Sequence, residues 1–290
     1  MAMHLLHDNK LKKLEDIAIS VREDIIKMLT TAGSGHSAGA LGLADIFTAF
    51  YFHILKHNPK KPNWSERDRL ILSNGHVCPV RYATMAQAGY FSKDKLLTLR
   101  KLNSPLQGHP ELDRLPGVET TSGPLGEGTS QTVGLAYAAK MDKAKWQVYC
   151  VLSDAELQEG QTWEAFMFAA KYKLNNCTFI IDRNFIQIGG NTEEVMPLEP
   201  LAKKIRAFGL HVEECSGNNL FDFIKTVDHA QQITEYPTVI IAYTTPGRGV
   251  SFMENRSEWH GRVPTESESK VALDELQNLR EQIKNEHKSF

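Results

Sequence analysis

In the second half of the chain, strand-like apolar runs alternate with stretches of helical spacing. "WQVYCVL", "CTFIID", "HVEEC" and "PTVIIAY" are separated by "QTWEAFMFAAKYK", "EPLAKKIRAFG" and "NLFDFIKTVDHAQQI". Such alternation predicts an α/β fold in which a parallel sheet is flanked by helices on both faces. In that architecture ligands bind beyond the carboxyl ends of the strands. The first half begins with a helix whose apolar face is Leu14, Ile17, Val21, Ile25 and Leu29. "AGALGLADIFTAFYFHIL" reads as a second helix, with small residues that permit close packing. A linker, "KHNPKKPNWSERD", leads to the short apolar piece "RLILS" and two more helical stretches. A loop rich in Gly, Pro and Thr then runs from Asn103 to Glu127, ahead of the small-residue helix "SQTVGLAYAAKM".

Composition narrows the functional classes. A net charge of −2 over 290 residues offers no basic field for nucleic acid or an anionic membrane. With 41% hydrophobic and 23% charged residues, the chain reads as an ordinary soluble domain. No apolar run reaches the roughly 18 to 20 residues of a membrane span, and "MAMHLLHDNKLKK" lacks the apolar centre of a signal peptide. Cys78, Cys150, Cys177 and Cys215 form no Cys-x-x-Cys pair and mostly fall in apolar stretches, as reduced core thiols of a cytoplasmic protein would. The closing segment, 266–290, is highly charged with a sparse apolar stripe, Val271, Leu273, Leu276, Leu279 and Ile283. It reads as a surface helix or linker appended to a domain spanning 1–265.

Two constellations carry chemistry. The first is "VLSDAELQEGQTWEA", where a buried strand ends on an acid, Asp154, just before a helix. The next strand also ends on polar residues, Asp182, Arg183 and Asn184. Adjacent strands would hold Asp154 and Asn184 roughly 5 Å apart. With a nearby backbone carbonyl they form half a shell for a small hard cation, completed by phosphate and water, and amides around Ala155 could face the same phosphate. The plainer use of Asp154 is as a helix cap. The second constellation is histidine. Gly-His occurs at Gly35-His36, Gly75-His76 and Gly108-His109, against about 0.8 expected from 20 glycines and 11 histidines, and His260 precedes a glycine. Glycine lets backbone approach a ligand, and imidazole moves protons near neutral pH. Zinc is disfavoured, since no His-Glu-x-x-His, helical His pair or thiolate pair is present. "TTSGPLGEGTSQ" matches neither a Walker loop nor the dinucleotide fingerprint. It reads as a tight loop onto a helix starting near Ser130, able to approach a flat heterocycle or simply a helix entry.

Taken in order, "SGHSAGALGLADI", "DRLILSNGHVCPVRYA", "GHPELDRLPGVETTSGPLGEG", "SDAELQEGQTWEA", "IIDRNFIQIGG" and "WHG" resemble the amino-terminal part of transketolase, from about residue 10 to 265. The resemblance implies the thiamine diphosphate-binding fold known as the PP domain, with thiamine diphosphate as cofactor and Mg²⁺ or Ca²⁺ bridging to its diphosphate. It implies that Asp154, Asn184 and the carbonyl of Ile186 hold the metal. Ala155 would offer its amide to the diphosphate, with Glu159 in the same turn. His76 and His260 would lie near the diphosphate, His260 also close to the reacting carbon. His36 and His109 would contact sugar hydroxyls or move protons, and Gly123 and Leu125 would lie against the cofactor. The implied reaction breaks a C–C bond of a ketose and passes a two-carbon unit to an aldose.

The sequence departs from the family in places. "SDA" stands for Gly-Asp-Gly, "GHSAG" for Gly-His-Pro-Gly, and "HVCPVR" puts Pro79 and Arg81 where small apolar residues are usual. The family's second domain, which supplies the activating glutamate and most sugar phosphate contacts, lies beyond the resemblance. The expectation is therefore the diphosphate-binding subunit of a split transketolase, inactive alone. Its partner would be a separate chain with the pyrimidine-binding domain, the two forming a heterotetramer acting on sugar phosphates. The competing readings are an alpha-type subunit of another two-chain thiamine diphosphate enzyme and a non-catalytic regulatory paralogue.

Overall fold

The structure is a computed structural model that describes residues 8–286. The leading residues of "MAMHLLHDNKLKK" and the last four of the closing segment lie outside the described residues. Five strands form one all-parallel sheet in the order β1-β2-β3-β7-β6: β1 Arg69–Leu72, β2 Val148–Ser153, β3 Cys177–Arg183, β6 His211–Ser216 and β7 Thr238–Tyr243. A two-stranded antiparallel hairpin, β4 Ile186–Gln187 and β5 Gly190–Asn191, follows β3 directly. The helices are α1 Asp8–Ala32, α2 Ala38–Gly42, α3 Ala44–Ala49, α4 Cys78–Gln87, α5 Glu127–Met141, α6 Gly160–Lys171, α7 Thr192–Val195, α8 Leu201–Ala207, α9 Leu220–Ala230 and α10 Glu266–Glu286.

β1, β2, β3 and β7 are buried on both sides because successive side chains enter different cores, whereas the edge strand β6 is partly exposed. Tyr149, Val151, Ile180, Ile240 and Ala242 pack with α1, α3, α4 and α9. Val148, Cys150, Leu152, Phe179 and Ile241 pack with α5, α6 and α8 on the opposite face. All four cysteines are buried and unpaired. Among the described residues, no helix is long and apolar enough to cross a membrane.

The stretch expected to be one helix after α1 is broken. α2 and α3 are separated at Leu43, and α3 runs into a π-helical turn over Phe50–Ile54 in which the Leu55 N–H donates to the Phe50 carbonyl. Apolar periodicity cannot register such breaks, because nearly every residue on either side of Leu43 is buried. The small residues do permit close packing: a Cβ on Gly42 would stand 2.9 Å from the Thr245 carbonyl. α5 starts at Glu127, earlier than the expected Ser130. The closing segment is a helix rather than a linker. It lies along α1, burying Ala272 and Leu276, while Arg280 reaches Asp16 and Glu23. Val271, placed in the apolar stripe, is half exposed.

Candidate active site

The carboxyl ends of β1, β2, β3 and β7 open into one cleft of about 500 Å³. A volume of this size is ordinary for a small-molecule site. His36 enters from the turn before α2, His76 from the loop after β1, His109 from the long loop before α5, and His260 from the loop before α10. Tertiary bonds bring these distant segments together. The Ser37 hydroxyl donates to the Arg262 carbonyl (2.6 Å), and the Gly247 N–H donates to the Ala38 carbonyl (2.8 Å). Gly75 has to be a glycine, since a Cβ there would meet Ser122 Oγ at 2.7 Å and the Gly123 amide at 3.0 Å.

Three imidazoles cluster. Ring centroids lie 4.9 Å apart for His36 and His76, 5.1 Å for His76 and His260, and 5.5 Å for His36 and His260. Burial pushes all four cleft histidines below their ordinary pKa. For His36 the pKa falls to about 4, with His260, Arg100 and His109 adding to the effect of burial. A neutral imidazole presents one hydrogen-bond donor and one acceptor.

Beneath the cleft, the buried Glu156 accepts from Ser73 Oγ (2.6 Å), the Gly126 N–H (2.8 Å) and the Ser153 N–H (2.8 Å). It ties together the ends of β1 and β2 and the start of α5. Sequence reasoning passed over this residue, although Ser153-x-x-Glu156 is a capping box and the structure builds one there.

The strand register alters the expected pairing of Asp154. Ser153 pairs with Asp182, so the residue opposite Asp154 is Arg183 rather than Asn184. Asp154 Oδ2 accepts from Arg183 Nη1 (2.9 Å) and the Phe185 N–H (2.9 Å), and Oδ1 accepts from the Ala155 N–H (2.8 Å). Burial lifts its carboxyl to about 6 while Arg183 pulls the other way. Arg183 also binds Glu193 (2.7 Å) and Glu199 (3.0 Å). Asn184 donates to Asp182 Oδ2 (2.8 Å) and accepts from the Ile186 N–H (2.9 Å). Burial drives Asp182 up to about 7, against its hydrogen bonds from Thr244 and Asn184.

Of the expected site residues, His36, His76, His109, His260, Gly123, Leu125, Ala155, Glu159, Asn184 and Ile186 line the cleft, and Asp154 is buried just behind it. Asn74, Gln158 and Gln187 line it too and were not anticipated. A lone amide inside a helix entry or hairpin carries no signal in sequence. Three cleft-lining residues carry buried polar atoms without a partner: both side-chain atoms of Asn74, His36 Nδ1 and Gln187 Nε2. Unmet donors and acceptors of this kind fit a polar ligand. Asp154, Asn184 and the Ile186 carbonyl offer oxygen only, the donor set of a hard cation, and Asp154 uses three of about four acceptor positions.

An all-parallel sheet thus gathers oxygen donors and imidazoles around one cleft at its carboxyl edge. The family described as "Transketolase, thiamine diphosphate binding domain" matches residues 15–289. The chain belongs to this transketolase family. It is 39% identical to one of the subunits of apulose-4-phosphate transketolase from Phocaeicola vulgatus, over 92% of this chain and 94% of that protein. It is 38% identical to the 6-deoxy-6-sulfo-D-fructose transketolase subunit SqwG of Clostridium sp. strain MSTE9, over 91% and 96%. Among solved structures, transketolase from Campylobacter jejuni superposes with a TM-score of 0.81 at 30% identity. That match covers 97% of this chain and 48% of the other, so the chain spans about half the length of such single-chain transketolases.

Proposed function

We propose that the chain is the thiamine diphosphate-binding subunit of a two-chain transketolase, transferring a two-carbon ketol unit from a ketose phosphate to an aldose phosphate. The observation that carries this reading is the near full-length match to proteins that are themselves separate transketolase subunits, on a chain whose cleft gathers four neutral histidines. Bound thiamine diphosphate supplies a carbanion and an electron sink for breaking and making the C–C bond.

In this reading Asp154, Asn184 and the Ile186 carbonyl hold Mg²⁺ or Ca²⁺. The Ala155 amide, with His76 and His260, faces the diphosphate. Gly123 and Leu125 lie against the cofactor, and Glu159 begins α6 at the same edge. His36 and His109 take up and return hydroxyl protons of the sugar, and His260 reaches the reacting carbon. Asn74, whose side-chain polar atoms are buried without partners, adds a donor and an acceptor beside them. The partner is a separate chain carrying the pyrimidine-binding domain, in a heterotetramer. The reading puts both chains in the cytoplasm, in keeping with four buried, unpaired cysteines.

A second reading draws on the Arg183 ion pair: a non-catalytic paralogue whose guanidinium permanently occupies Asp154. Two-carbon transfer measured for this chain, for its candidate partner and for the mixture, with Mg²⁺ and thiamine diphosphate, separates the two. The catalytic reading expects activity in the mixture alone, abolished by Asp154→Ala. A stable complex that binds no cofactor and transfers nothing overturns it.

A further inference from the structure

A second group of metal-ligating side chains lies away from the cleft, at the amino end of the edge strand β6. His211 and Glu213 are two residues apart on that strand, so both side chains leave the same face of the sheet. That face is covered by α9, whose last turn carries His229. The three converge on one atom. His211 Nε2 is 2.5 Å and His229 Nδ1 2.9 Å from Glu213 Oε1. Among the described residues this is the one group of three whose ligand atoms all lie within 4.8 Å of one another. The cleft histidines, though their rings are close, do not converge in this way.

We propose that His211, Glu213 and His229 form a binding site for a divalent transition-metal ion of the zinc class, distinct from the strand-end cleft. Two imidazoles and one carboxylate are a donor set used by zinc in open sites, where water takes the fourth position. His229, whose side chain is 57% exposed, leaves that position to solvent. Metal–nitrogen and metal–oxygen distances of about 2.0–2.2 Å require the three atoms to spread only slightly around an inserted ion. Both imidazoles coordinate through the ring nitrogen that faces Glu213. Each shifts its hydrogen to the other ring nitrogen, Nδ1 in His211 and Nε2 in His229, and presents a lone pair to the ion. The carboxyl end of α9 adds the partial negative charge of its carbonyls. Mg²⁺ does not compete, because it prefers oxygen ligands and the site offers one carboxylate. A bound ion would clamp the edge strand to the end of α9.

The test is a Co²⁺ titration of the full chain in excess Mg²⁺, read by visible absorption and equilibrium dialysis. One equivalent of Co²⁺ should bind. His229→Gln and His211→Gln should each weaken it by about tenfold or more, and His260→Gln should leave it unchanged. Circular dichroism melts check that the variants fold, and His229, exposed at a helix end, is the safer of the two. Absence of saturable binding below millimolar Co²⁺ overturns the proposal. So does binding that survives both His211→Gln and His229→Gln, or that is lost in His260→Gln.

Discussion

The two halves of the cleft floor hold their buried acids by opposite means. Under β1 and β2, Glu156 is surrounded by neutral donors, two hydroxyls and two backbone amides, which fasten three loops to one carboxylate. Under β3, Arg183 is the common counter-charge of Asp154, Glu193 and Glu199, and the adjoining hairpin leaves Ile188 85% exposed. Burial opposes the charge of Arg183, but its carboxylate partners outweigh that and hold its pKa above the ordinary value. The first half is a scaffold fixed by local hydrogen bonding. The second is a charge balance that a cation could share.

The largest effect should come from the charged half. Arg183→Leu strands the buried Asp154 carboxylate and should cost about 3–5 kcal/mol in chemical denaturation. Adding Asp154→Leu should recover most of that loss. Equal stability of Arg183→Leu and the parent would erase the contrast. In the neutral half, Glu156→Ala leaves the donors of Ser73, Gly126 and Ser153 unmet and should cost about 3 kcal/mol, with Glu156→Gln costing less. If Glu156→Gln were as damaging as Glu156→Ala, charge rather than hydrogen bonding would be holding the scaffold.

A pH titration sharpens the comparison further. The folded pKa of His36, near 4, lies below its ordinary 6.5, so the unfolded chain binds more protons in between. Its contribution to stability is present above about pH 6.5 and is lost as the pH falls toward 4. Asp182 acts in the opposite sense. Its contribution is complete below pH 3.8 and is lost as the pH rises through about 7. Denaturation midpoints from pH 4 to 8 should therefore lose part of their acid slope in His36→Asn, and an unchanged slope would refute the burial of that ring. The smallest effect belongs far from the cleft: Arg280→Ala, which breaks part-buried ion pairs between α10 and α1, should cost about 1 kcal/mol in the same assay. A loss as large as that of Glu156→Ala would place α10 among the elements that hold the core.

Much of the fold was legible because it rests on local pattern. Alternating runs such as "CTFIID" and "PTVIIAY" announce doubly covered strands, since residues buried on both faces must be apolar at every position. Gly75-His76 and Gly108-His109 announce close-packed loops, since a Cβ on Gly75 has no room. What only the tertiary structure decided is how those pieces meet. The register that sets Arg183 opposite Asp154, the joining of His36 to the loop of His260 through Ser37, and the convergence of His211 and His229 on Glu213 each link segments distant in sequence or set one strand against another. Composition and spacing specify which side chains an element presents to each face. The packing of one element against another selects their partners, because that choice depends on the free energy of the whole core.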